Sequence, residues 1–278
     1  MRWTRGGRSA NIEDRRGMRL GGGMGMGLGG MVVLAVLSLV FGKDFLSMAG
    51  GGGSGAVPAQ DASPYVGTPE EEEQVQFISF VLDDAQATWA KIFAERGQQY
   101  RTANLVLFKD MTESACGYGQ AATGPFYCPG DEKVYIDLGF FQELHSSFGA
   151  PGDFAQAYVI AHEIGHHAQN VMGVSEQVRA AQQQNPDDAN EWSVRLELQA
   201  DCFAGVWGHA TAQRDHLDPG DVDEGLNAAA AIGDDRLQRM GGGAVSPESF
   251  THGSSAQRVE WFRRGFTDGR IESCNTYE

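Results

Sequence analysis

"FAQAYVIAHEIGHHAQNVMG", residues 154–173, contains no proline, places small residues at Ala157, Ala161, Gly165 and Ala168, and ends on a glycine. These features predict a helix that stops at Gly173. Within it His162, Glu163 and His166 fit H-E-x-x-H. Residues i and i+4 share one helix face, so both imidazoles can reach a single ion. Glu163 lies one step round the helix, beside such an ion without having to bind it. His167, about 100° away from His166, cannot easily join. Gly165 costs a helix roughly 1 kcal/mol relative to alanine, which points to a close backbone approach there. The competing reading is an ordinary amphipathic helix with chance histidines, since so short a pattern also recurs at random.

A catalytic zinc takes three protein ligands and keeps one position open. The candidate third ligand lies in "RLELQADCFAGVWGHA", residues 195–210, where Glu197 and Asp201 are again i and i+4. Glu197 would bind the ion, and Asp201 would accept the distal N–H of His162 or His166 and so fix its tautomer. Asp201 as the third ligand is the alternative, and two solvent-facing acids the default. Leu196, Leu198, Ala200, Cys202 and Phe203 surround the pair with apolar or small side chains, so a carboxylate here needs a partner. Zinc lowers the pKa of its bound water, and a neighbouring carboxylate, Glu163, can take the proton and pass it to a leaving amine.

Around these stretches the chain of 278 residues, 41% hydrophobic and 10% aromatic, has enough apolar mass for a real core. "QVQFISFVLDDAQATWAKIFAERG", residues 74–97, shows helical spacing from Val75 to Phe93 and stops at Gly97. "NLVLFK" (104–109) and "KVYIDLGFF" (133–141) read as strands, and helical signals dominate at about 154–172, 188–209, 221–239 and 255–268. The fold class expected is α+β, helix-rich with a small β-sheet. Ser254 and Ser255 read as caps of the last helix rather than nucleophiles.

The amino end differs in kind. Residues 1–20 carry six arginines against Glu13 and Asp14, and Gly21–Gly42 holds no charge. That pattern predicts a basic cytoplasmic segment (1–20), one transmembrane helix (21–42), a Gly/Pro-rich linker (43–69) and a catalytic domain (70–278) outside the cytoplasm. Because the strongly apolar part is only "MVVLAVLSLVF", residues 31–41, a cleaved signal peptide is the rival reading. Net charge is −16; residues 1–20 carry +4 and Lys43 +1, leaving −21 on residues 44–278. So acidic a domain is a poor nucleic-acid binder. Cys116, Cys128, Cys202 and Cys274 lie beyond the apolar segment with no C-x-x-C pair. The expected pairing is Cys116–Cys128 and Cys202–Cys274, with free buried thiols as the alternative.

The start "MRW…NIEDRRG", the central "GPFYCPGDEKVYIDLGFF", then "AHEIGHHAQN", "RLELQADCFAGVW", "IGDDRLQ" and "THGSSAQR" together resemble the putative neutral zinc metallopeptidases, bacterial proteins with a membrane-anchored amino end. The later E-x-x-x-D also looks like the wider gluzincin class. The resemblance implies a zincin-like fold, one zinc per chain on His162, His166 and Glu197, Glu163 as general base, Asp201 behind a ligand, and a protein or peptide substrate. In peptidases of this class substrate commonly adds as a strand to a sheet edge, for which "KVYIDLGFF" is the candidate. His252, with Tyr158 second, is the candidate donor to the tetrahedral oxyanion.

The leading expectation is a membrane-tethered zinc endopeptidase. A non-catalytic, zinc-stabilised envelope protein is the alternative, and hydrolysis of a non-peptide amide or ester a third. The polar residues around "HEIGHHAQN" and "LELQAD" argue against an intramembrane protease.

Overall fold

In the computed structural model, which describes residues 1–18, 65–120, 124–242 and 244–277, the acidic run before the first periodic stretch becomes the first turn of α1 (Pro69–Glu95). Thr68 caps it in a reciprocal box with Glu71, and Pro69 takes the first helical position, where a missing N–H costs nothing. Val75, Ile78, Val81, Leu82, Ala85, Trp89 and Phe93 are its buried face, as their spacing predicts.

Among the described residues six strands follow the sequence order β1 (Ile12–Asp14), β2 (Asn104–Phe108), β3 (Met111–Ser114), β4 (Gly117–Gln120), β5 (Phe126–Cys128) and β6 (Lys133–Asp137). Four of them make one sheet in the order β1-β2-β6-β5, parallel except for the β5/β6 pair, while β3 and β4 form a separate hairpin. The strand expected over 133–141 ends at Asp137. There the Asp137 carboxylate accepts from the backbone N–H of Gly139 at 2.8 Å and opens α2 (Gly139–Ser146), so the aromatic pair Phe140-Phe141 is helical. Nor is β6 an edge: it lies between β2 and β5, and the edges are β1 and β5.

Beyond the sheet the described residues form the helices α3 (Asp153–Val171), α4 (Val174–Gln184), α5 (Ala189–Gln213), α6 (Asp221–Ala231), α7 (Asp234–Met240) and α8 (Ser255–Asp268). The single helix expected over 221–239 is thus two, separated at Ile232-Gly233, and α4 has no counterpart in the sequence reading. Ser254 is the N-cap of α8, as expected, in a capping box with Gln257. Helices α5 and α8 cross in near contact: a Cβ on Gly265 would lie 1.9 Å from the Cys202 carbonyl oxygen. Both disulfides pair as expected. Cys116–Cys128 ties the β3/β4 turn to β5, and Cys202–Cys274 ties the C-terminal tail to α5.

Residues 1–16, read from sequence as a basic segment apart from the domain, fall in the same compact unit as residues from Val66 onward. Among the described residues no helix is long and apolar enough to cross a membrane. The expected span at 21–42 and most of the linker at 43–69 lie outside the described residues.

Candidate metal centre

Helix α3 is buried on almost every side, and its H-E-x-x-H face meets α5 where Gly165 has no side chain. A Cβ there would stand 3.1 Å from the Ala200 carbonyl oxygen and 3.3 Å from the Phe203 Cβ. This is the close approach that the glycine predicted, and it brings Glu197 up to the two histidines.

The Glu197 carboxylate lies 3.2 Å from His162 Nε2 and 3.3 Å from His166 Nε2, and the two Nε2 atoms are 3.2 Å apart. Ligands about 2.0–2.1 Å from a tetrahedral zinc stand about 3.3–3.4 Å from one another, which is close to the spacing of the two Nε2 atoms and of their contacts with the carboxylate, Oε2 to His162 and Oε1 to His166. The distal nitrogens are occupied. His162 Nδ1 is 2.9 Å from Asp201 Oδ1 and His166 Nδ1 is 2.8 Å from Gln169 Oε1. With Nδ1–H donating in each ring, both Nε2 lone pairs point at Glu197, and three acceptors face one another across a gap suited to a cation. His162, His166 and Glu197 are accordingly a group that could hold a metal ion.

Charge follows the same logic. Burial works against protonating His162, but Asp201 and Glu197 outweigh it and raise the imidazole to about 10. Burial would likewise raise Glu197, yet His166 and His162 hold its carboxyl well below the usual range. The pocket demands positive charge, which a divalent ion would supply.

Behind the triangle lies a network that sequence reasoning largely missed. Asp201 is fully buried, with Arg258 Nε donating to Oδ2 at 2.8 Å and Nη2 to Oδ1 at 2.9 Å. The Tyr158 hydroxyl also donates to Asp201, so this candidate oxyanion donor is already committed. Against the burial that would raise it, Arg258 and His162 keep Asp201 ionised. On the other side Gln169 donates to the Leu196 carbonyl at 2.7 Å and to Gln199 at 3.0 Å, and Gln199 donates to the Cys274 carbonyl at 3.0 Å. A signal for Arg258 did exist: it falls on the same face of α8 as Phe262 and Gly265, a charge on a buried stripe.

Glu163 is buried and lines a cleft of about 570 Å³, and among the described residues its carboxylate has no hydrogen-bond partner. Burial raises its pKa, with His162 and His166 pulling the other way. His252 lines the same cleft on a loop clamped by Asp234, whose Oδ2 accepts the backbone N–H groups of Thr251, His252 and Gly253 at 2.7, 2.6 and 3.1 Å. Asp234 Oδ1 lies 3.2 Å from His252 Nδ1, and this bond is the main reason the imidazole pKa is raised. His167 turns away, its Nδ1 accepting from Tyr127 at 3.0 Å and its Nε2 donating to the Arg101 carbonyl at 2.6 Å. Pro125, Phe126 and Tyr127, on and beside edge strand β5, form one wall of the cleft; no residue of β6 does.

A helix bearing H-E-x-x-H and a helix bearing E-x-x-x-D thus meet in a mainly helical α+β domain with a two-histidine, one-glutamate donor set. Residues 1–277 match the family described as "Putative neutral zinc metallopeptidase", and the chain belongs to that family. It is 45% identical to the uncharacterized Escherichia coli (strain K12) protein YpfJ over 100% of this chain and 99% of that protein. It is 42% identical to the uncharacterized Mycobacterium bovis protein Mb2605, over 64% of this chain and 63% of that one. The uncharacterized Mycobacterium tuberculosis (strain H37Rv) protein Rv2575 matches to the same extent. No solved structure matches the chain.

Proposed function

We propose that this protein is a zinc-dependent endopeptidase working outside the cytoplasm. The observation that carries the reading is the triangle of His162 Nε2, His166 Nε2 and Glu197 set beside an unpartnered Glu163 in an open cleft. Bound there, zinc would polarise the scissile carbonyl and acidify the attacking water. Glu163 takes the water proton as the new C–O bond forms and delivers it to the leaving nitrogen as the C–N bond breaks, giving a carboxylate and an amine. The Nε2–H of His252, held by Asp234, donates to the oxygen that becomes negative in the tetrahedral state. An extended substrate adds along β5, the edge that lines the cleft, rather than along β6. Phe140, Val159, Ile232 and Leu237 give the cleft an apolar wall suited to a bulky hydrocarbon side chain near the scissile bond. Two disulfides favour an oxidising compartment.

The test uses the purified full chain, its Glu163→Gln and Glu197→Gln variants, metal analysis by mass spectrometry and an unfolded protein as substrate. The expected result is one zinc per chain, retained in Glu163→Gln with cleavage down by about 10²–10⁴-fold, and lost in Glu197→Gln. Zinc bound with equal or absent cleavage in the unmodified chain and Glu163→Gln would instead support a zinc-stabilised envelope protein.

A further inference from the structure

Strand β1 lies on the far side of the uncharged stretch 21–42 from the rest of the domain in sequence, yet it is part of the domain's sheet. Ile12, Glu13 and Asp14 pair in parallel with Leu105, Val106 and Leu107. The ladder is extended at both ends, Leu105 donating to the Asn11 carbonyl at 2.8 Å and Arg15 to the Leu107 carbonyl at 2.7 Å. Trp3 packs edge-on against Phe77 of α1 with ring centroids 5.4 Å apart.

Five of the six arginines that suggest a cytoplasmic flank, those among the described residues, are engaged in the same unit. Arg2 pairs with Asp218, Arg5 with Glu73, and Arg8 with Asp14 and Glu72. Arg15 pairs with Glu13, which also receives Lys133, and Arg16, with a side chain only 2% exposed, is held by Asp14 and Glu72. Arginines matched to carboxylates of a folded domain are not free to hold a chain end on the cytoplasmic face, which is the physical basis of positive-inside orientation.

We infer that residues 1–16 and residues 66–278 occupy the same compartment. One crossing would separate its two flanks by about 30 Å of hydrocarbon, whereas paired strands lie about 4.8 Å apart. The β1/β2 pairing and a single-pass anchor cannot coexist. The inference stands on the pairing of β1, independently of whether the cleft is catalytic.

Sidedness of the full chain decides it. Gly6→Cys places a thiol where an added Cβ meets nothing within 4 Å, and Lys91→Cys places one on α1 at a side chain 79% exposed. Since all four native cysteines are in disulfides, the unmodified chain is the blank. Each variant is expressed in bacterial cells, spheroplasts are exposed to a membrane-impermeant maleimide, and labelling is expressed as a fraction of that after detergent and denaturant. The expected result is equal fractions for the two positions, both high or both near the blank. One position labelled in intact spheroplasts with the other protected would overturn the inference, and a second amino-end probe, Arg5→Cys, guards against a local effect at Gly6.

Discussion

Arg258 is the residue on which the site's hidden half depends. Its guanidinium grips both oxygens of Asp201, and Asp201 in turn holds His162 through Nδ1, leaving Nε2 to face Glu197. Arg258→Met strands a buried carboxylate, a loss of about 3–5 kcal/mol when one partner of a buried pair is removed. Thermal unfolding should show that loss, and a chelator competition should show zinc held about 10–100-fold more weakly; unchanged zinc affinity would refute the link through Asp201. Arg258→Lys restores charge but not the two-pronged bond, so recovery is expected to be partial. His252 makes a separate prediction for pH. Its bond to Asp234 raises the imidazole above the ordinary 6.5, so the doubly protonated ring that best donates to an oxyanion persists to higher pH and is lost as pH rises through the raised value. An alkaline decline in kcat/KM above 6.5 is expected in the unmodified chain, and its absence from the much slower His252→Ala is the check.

At the scale of elements, two helix crossings place the chemistry. Gly165 lets α3 meet α5, and Gly265 lets α8 meet α5, which carries Arg258 beneath Asp201. In an isolated helix Gly→Ala gains about 1 kcal/mol. Here Gly165→Ala sets a Cβ 3.1 Å from a helix carbonyl, and Gly265→Ala sets one 1.9 Å from another. Both should destabilise the protein in urea unfolding, Gly265→Ala more, by at least the 1–3 kcal/mol typical (about) of overpacking. A gain in stability for Gly265→Ala would mean the crossing is looser than described. The H-E-x-x-H helix was legible because its spacing and its small residues act locally. The division of 221–239 into α6 and α7, the helix α4 and the interior position of β6 were not, because each depends on what packs alongside.

Across the whole molecule the disulfides act on different distances. Cys116–Cys128 closes a span of 12 residues and Cys202–Cys274 one of 72. Loop-closure entropy makes these worth about 3 and about 4 kcal/mol respectively. The longer one also fixes the Cys274 carbonyl that steadies Gln199, hence Gln169 and His166. Cys202→Ala/Cys274→Ala should therefore lower both the unfolding midpoint and zinc affinity, whereas Cys116→Ala/Cys128→Ala should lower chiefly the midpoint. Calorimetry with zinc titration separates the two effects.

The sequence by itself pointed to the zinc-binding candidates His162, His166 and Glu197, the helix that aligns the first two, the capping of α8, and the expected pairing of four cysteines, because each rests on short spacings or on a small number of possible partners. Only the tertiary structure decided that Arg258 and Gln169 stand behind the histidines, that β5 is the edge beside the cleft, and that Ile12–Asp14 close the sheet. Those facts join residues up to 96 positions apart. A run of arginines looks the same in sequence whether it faces phospholipid or carboxylates, and only the folded chain supplies the carboxylates.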